Sequence, residues 1–297
     1  MRILITGAKG MLAQDLAPVL KPTHEVLSLD HSACDISDEA AINRIFASWR
    51  PELVINCAAY SDVDACERDP KRAFGVNGQG AGNVAVAADA IDARVFHIST
   101  DYVFDGRQRT PYVEQDVPRP ISLYGQSKMD GEQRTIGLRG GDHRHLIIRT
   151  SWLYGSHRTN FVDKVLERAQ SNLPVEAVAD QVSCLTWTSH LAQRISELVE
   201  IAPTGILHLT GSGPCTRFEI AQRIVEALPN PVVVSPIDWG KLNLPAKRPE
   251  YSAMESQRLA ELGIQPLPHW KLALDEYLQL RKVVPVTAKG IKLGVEP

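Results

Sequence analysis

Short apolar runs alternate with segments of helical period through the first half of the chain. Such alternation leaves a parallel sheet covered by helices as the layered solution. The runs fall at 2–6 (RILIT), 24–30 (HEVLSLD), 52–59 (ELVINCAA), 94–100 (RVFHIST) and 145–152 (HLIIRTSW). Between them, helices are expected from the first glycine turn to about Leu20, over 37–49, over 70–90 and over 122–133. In the second of these Ser37 stands as the expected cap, and Ala41, Ile42, Ile45, Phe46 and Trp49 recur at three- and four-residue steps. The expected class is α/β, a doubly wound parallel Rossmann-type sheet.

Beyond about residue 155 the alternation becomes irregular. Helical stretches are expected near 160–171, 187–201, 216–228 and 269–282, with a further buried strand over 205–211 and proline-rich loops at LPNPVVVSPID and LNLPAKRPEY. The predicted organisation is a dinucleotide-binding domain (1–155), a smaller α/β substrate-binding region (156–282) partly interleaved with the last sheet strands, and a C-terminal tail (283–297).

A formal net charge of −3 over 297 residues gives no electrostatic reason to expect nucleic acid or an anionic membrane as partner. No run approaches the ~20 apolar residues of a membrane helix, and the span 2–6 is too short for the apolar part of a signal peptide, so a cytoplasmic location is expected. Five cysteines (34, 57, 66, 184 and 215) without a C-x-x-C pair read as reduced thiols, with Cys57 a small core residue. His143 and His145 form an H-x-H that reads as solvated side chains, and no metal is expected.

In a parallel sheet all strand carboxyl ends share one rim, and ligands bind in the crevice outside it. That rim carries Thr6 and Gly7, then Asp30, then Ala58 to Tyr60, then Thr100 and Asp101, and finally Ser151 and Trp152. TGAKGMLA has Gly7 and Gly10, with Ala13 where a third glycine might stand. It departs from G-x-G-x-x-G, so an ordinary strand-to-helix turn competes with a pyrophosphate cradle. Asp30, 23 residues after Gly7, is placed to accept from ribose hydroxyls and to repel a 2'-phosphate, which leans toward NADH. Tyr124 and Lys128, four apart in YGQSK, share a helix face. A phenol titrates near 10 unperturbed, and the ammonium would lower it, although such a pair also occurs on plain exposed helices.

These pieces, with CDIS (34–37), NCAAYSDVDACERDP (56–70), Val76-Asn77, STDYVFDG (99–106), RTSWLYG (149–155), Asn160-Phe161, Asp180-Gln181 and RPEYS (248–252), form an ordered set. Over roughly residues 1–282 the chain resembles the extended short-chain dehydrogenase/reductases. The resemblance implies an NADPH- or NADH-dependent oxidoreductase that reduces the C4 ketone of a dTDP-linked 4-keto-6-deoxy sugar without a metal. It implies Thr100, Tyr124 and Lys128 as catalytic residues. Gly7, Gly10, Met11, Leu12, Asp30, Asp35, Ile36, Ala59, Tyr60, Ser61 and Asn77, with Tyr124 and Lys128, would line the cofactor path. Thr100, Asp101, Tyr102 and Trp152 would face the sugar, and Arg248 the nucleotide diphosphate. Simpler roles stand beside these: Asn77 as a turn hydrogen bonder, Trp152 as core, Arg248 as a surface ion pair. Ser183 and Leu185 depart from the Gly and Pro that follow Asp-Gln in these proteins. A dehydratase or epimerase remains an alternative, the former disfavoured by Tyr102 in place of a glutamate. So does a non-catalytic regulatory subunit resembling that of methionine adenosyltransferase. A homodimer stays open.

Overall fold

The computed structural model describes residues 1–137, 144–281 and 283. Six parallel strands form the main sheet: β1 (Arg2–Thr6), β2 (Glu25–Leu29), β3 (Leu53–Asn56), β4 (Arg94–Thr100), β5 (Leu146–Thr150) and β10 (Gly205–His208). Their spatial order is β2-β1-β3-β4-β5-β10, so the winding reverses at β1 and opens a crevice between the carboxyl ends of β1 and β3. β10 returns from the second half of the chain to close the far edge beside β5.

The pleat sends alternate residues to opposite faces. Ile3 and Ile5 of β1 pack with Leu12 and Leu16 of α1 (Met11–Leu20) and with Leu191 and Ile195 of a long helix at Thr188–Ile201. Leu4 points the other way, against Ile42 and Phe46 of α2 (Glu39–Trp49) and Val84 of α5 (Ala81–Ala90). Each such fully buried aliphatic side chain contributes about 1.5–3 kcal/mol.

Several expectations are corrected. The cap of α2 is Asp38, whose carboxylate accepts from Ala41 N–H at 3.0 Å, one residue after the expected Ser37. The helix expected over 70–90 spans those bounds without a break, but it contains a π-helical turn (Phe74–Gly80) between α4 (Pro70–Ala73) and α5. The cause is close packing on α6 (Leu123–Ile136): a Cβ on Gly78 would lie 2.0 Å from Asp130 Oδ2, and one on Gly131 2.1 Å from the Asn77 carbonyl. A short α3 (Val63–Arg68) was not foreseen.

Past β5 the chain makes β6 (Leu153–Tyr154), α7 (Phe161–Gln170), β7 (Val175–Val178), β8 (Val182–Ser183), β9 (Thr186–Trp187) and then α8, the Thr188–Ile201 helix already named. β11 (Cys215–Thr216), α9 (Arg217–Glu226), β12 (Val234–Ile237) and α10 (Trp270–Leu280) follow. β12, read from sequence as proline-rich loop, pairs in parallel with β7, and α7, α9 and α10 share a second apolar core with it. The expected tail lies outside the described residues apart from Val283, as does His143. His145 is buried and its Nδ1 accepts from Val95 N–H at 3.1 Å, so it is a structural side chain and not a solvated one. Among the described residues no helix is long and apolar enough to cross a membrane.

Candidate active site

A cleft of about 1000 Å³ opens over the carboxyl ends of β1, β3, β4 and β5. Its floor at one end is the turn from β1 into α1. Gly7 takes φ +70°, and a Cβ there would stand 2.7 Å from Ala58 N of the neighbouring strand end, so only glycine fits. Gly10 precedes α1, whose first turn carries no acidic residue. An exposed helix N-terminus beside a glycine turn is a seat for phosphate.

β4 ends in Thr100, whose hydroxyl caps the following turn by accepting from Tyr102 N–H at 3.2 Å. Tyr124, in the first turn of α6, lines the cleft beside Thr100 and meets Tyr102 edge to face at 5.6 Å. Burial pushes the Tyr124 phenol above its usual range, while the neighbouring Thr100 hydroxyl opposes the rise. The net shift is upward, against the lowering expected from Lys128, because desolvation outweighs the neighbouring charges.

Lys128 is buried one turn further along α6. Its ammonium donates to Ile98 O at 2.6 Å and lies 3.1 Å from His97 Nε2, both on β4. Burial lowers its pKa to about 8, with Glu132 and Cys57 opposing. His97 is held well below its ordinary pKa by burial and by the Lys128 charge, so it is neutral and accepts from the ammonium. Its Nδ1 lies 3.0 Å from the Asn56 amide, which in turn is 2.6 Å from Thr6 Oγ1. Beyond Lys128, Glu132 accepts from Ser99 Oγ at 2.5 Å and from Arg149 at 2.7 and 2.9 Å. A band of polar groups therefore crosses the sheet beneath the cleft, made by register: Thr6 pairs with Asn56, Asn56 with His97, and Arg149 with both Ser99 and His208.

None of Asn56, His97, Glu132 or Arg149 was picked out from sequence. The available signal was a polar residue at an inward position of an otherwise apolar run, as in VIN, VFHIST and LIIRT. Cys57 is half-buried, packing against the main core on one side and facing the cleft on the other, and burial pushes its thiol up to about 12.

Of the expected cofactor residues, Gly7, Gly10, Met11, Leu12, Asp30, Ala59, Ser61, Tyr124 and Lys128 line this cleft. Asp35, Ile36, Tyr60 and Asn77 do not. Asp35 binds its own turn through Ser37 N and Oγ, and Ile36 is core. Asn77 is buried, accepting from Tyr60 N–H at 2.8 Å and donating to Tyr60 O and Ser127 Oγ at 3.0 Å. It fastens the loop after β3 to α6, the simpler role. Asp30 is engaged by Lys9 Nζ at 2.5 Å and by Ser32 Oγ at 2.6 Å, which holds its carboxyl well below the usual range. The Lys9 ammonium offsets the Asp30 charge at this edge of the cleft.

Thr100, Asp101, Tyr102 and Trp152 all line the cleft. The Asp101 carboxylate, however, accepts from Thr100 at 3.0 Å, Ser183 at 2.8 Å and Ser252 at 2.6 Å, so its acceptor capacity is used within the protein. Ser183, a departure noted in the sequence, is thus one of its anchors. Arg248 is off the cleft wall: it forms a two-point ion pair with Asp64 of α3 and stacks on Trp239 at 3.9 Å.

The family model described as "RmlD substrate binding domain" matches residues 1–283. A dTDP-4-dehydrorhamnose reductase of Mycolicibacterium smegmatis is 39% identical over 295 residues, 97% of this chain and 88% of that one. The crystal structure of a dTDP-4-dehydrorhamnose reductase from Clostridium acetobutylicum superposes with a TM-score of 0.90 at 35% identity, covering 95% of this chain and 100% of the other. One from Bacillus anthracis, in complex with NADP, does so with a TM-score of 0.90 at 34% identity over 94% and 99%. On the cleft, its glycine turn and these matches, the chain belongs to the RmlD substrate-binding-domain family.

Proposed function

We propose that this chain is an NAD(P)H-dependent oxidoreductase that reduces the C4 ketone of dTDP-4-dehydro-L-rhamnose, giving dTDP-L-rhamnose. The observation that carries this reading is the meeting of Tyr124 and Thr100 at the mouth of β4, with the Lys128 ammonium secured directly behind them. Relatives named dTDP-4-dehydrorhamnose reductase, matched over most of their length, support the choice of sugar, and the NADP complex of the Bacillus anthracis relative supports the cofactor.

The residues present fit a dinucleotide: Gly7 and Gly10 leave room that any Cβ would fill, and the α1 N-terminus faces the cleft. When bound, NAD(P)H supplies the hydride that adds to C4. As that bond forms, the carbonyl electron pair moves onto oxygen, and Tyr124 donates its proton there as general acid. A phenol raised by burial stays protonated at neutral pH, which suits this direction of reaction. Thr100 turns its single hydroxyl proton from Asp101 Oδ1 to the same oxygen when substrate is bound, and the Lys128 charge stabilises the phenolate left behind until solvent reprotonates it. The region 156–282 contributes Phe161, Leu185 and Arg217 to the sugar-nucleotide side of the cleft.

Dehydration is disfavoured because Tyr102, in the place of a dehydratase's glutamate, is buried with its phenol pushed up and cannot act as a carboxylate base. The test is to incubate the chain with NADPH and the 4-keto sugar nucleotide. Stoichiometric NADPH consumption with dTDP-L-rhamnose as product is expected; no consumption, or a product with the other C4 configuration, overturns the assignment.

A further inference from the structure

Two other arginines shielded from solvent are paired with carboxylates: Arg149 with Glu132, and Arg248 with Asp64. Arg217 differs. It lines the cleft, yet no carboxylate lies within ion-pair distance and no hydrogen-bond partner is found among the described residues. Its guanidinium stands over the Trp152 ring at 4.4 Å and the Phe161 ring at 4.9 Å. The nearby charges and phenol do not satisfy it: Asp101 is already bonded by three hydroxyls, Tyr102 is neutral, and Arg248 carries the same sign.

Two local features make the placement costly without a ligand. Arg217 opens α9, where the helix dipole opposes a cation. Trp152, one wall of its aromatic clamp, takes φ +34°, in the left-handed region that non-glycine residues seldom occupy. Its carbonyl is kept there by Thr186 N–H at 3.2 Å. The Thr216 hydroxyl beside it is consumed in the capping box with Glu219, so Arg217 is the group left to meet a ligand.

We propose that Arg217, clamped between Trp152 and Phe161, is the binding site for the diphosphate of the sugar-nucleotide substrate. The assignment rests on the reaction given above and moves the diphosphate from Arg248, which Asp64 neutralises, to a guanidinium that is unpaired in the cleft. A planar fork of donors suits a phosphate better than a point charge does. The aromatic walls hold the fork flat and exclude water, strengthening the attraction. The cofactor's own pyrophosphate has a separate cradle at Gly7 and Gly10, built by β1 and α1 and not by α9.

The test is calorimetric titration of the full chain with dTDP, in parallel with fluorescence titration with NADPH, for wild type, Arg217→Gln and Arg217→Lys. Arg217→Gln is expected to weaken dTDP about 10- to 100-fold, the worth of a charged hydrogen-bonded pair, with Arg217→Lys between it and wild type. NADPH affinity should change by less than about 2-fold. An unchanged dTDP affinity in Arg217→Gln, or an equal loss for NADPH, overturns the proposal. If Arg217→Gln does not fold, the lysine variant decides: a loss of dTDP affinity supports the site, and none removes it. Arg217-dependent dTDP binding by a wild-type chain that reduces no 4-keto sugar nucleotide would uphold this site while overturning the reaction.

Discussion

The His97 imidazole sits behind the Lys128 ammonium, Nε2 to Nζ 3.1 Å, and with Ile98 O it takes up two of the three N–H bonds of that lysine. One remains for the cleft. Because an ammonium only donates, Nε2 must present its lone pair, and the proton of neutral His97 then sits on Nδ1; the Asn56 amide must therefore turn its oxygen to Nδ1 and its nitrogen to Thr6 Oγ1.

This fixes a pH dependence. Lys128 titrates at about 8, so its charge, and with it kcat/KM, falls as pH rises through that value. Replacing His97 with Leu removes an acceptor from a buried ammonium, and the alkaline limb of the pH profile should move down by about one unit. His97→Gln, which keeps an acceptor, should bring the limb back toward wild type. A His97→Leu profile that superimposes on wild type would show that the contact does not govern Lys128.

Tyr124→Phe keeps the ring against Tyr102 and removes the proton. Turnover should drop roughly 10²- to 10⁴-fold, the usual worth of a general acid, with NADPH affinity held within about 2-fold. Steady-state kinetics with a parallel fluorescence titration reads both.

The Glu132–Arg149 pair is almost fully enclosed, with side-chain exposures of 4% and 1%. Glu132→Ala strands a buried guanidinium and should cost about 3–5 kcal/mol in urea unfolding. The double replacement Glu132→Leu with Arg149→Leu should cost less than the single one, since no charge is then left unpaired. A double variant as unstable as Glu132→Ala would mean that packing, and not charge, sets the loss.

Lys9 pairs with Asp30 at the edge of the cleft nearest the glycine turn. Lys9→Met leaves the Asp30 carboxylate unpaired, so KM for NADPH should rise about 5-fold more than KM for NADH, a modest effect as for other exposed pairs. Equal changes for the two cofactors would dissociate this pair from the 2'-phosphate.

The sequence by itself determined the layers, the parallel sheet and the rim on which Thr100, Tyr124 and Lys128 gather. Strand alternation and the four-residue helical step are local properties, readable within a few residues. The tertiary structure alone decided what those side chains do with their charges. Asp101 is captured by hydroxyls 82 and 151 residues away, Arg248 by a carboxylate 184 residues away, and Lys128 is braced by a histidine on the adjacent strand. Partners so distant are chosen by chain closure and strand register, which no local pattern records. The same reason hid β12 and the π-helical turn: the first exists by pairing with β7, the second by the approach of α6 to glycine. Arg217 was invisible for a related cause, since its distinction is the lack of a carboxylate partner among the described residues, and that shows only in the folded chain.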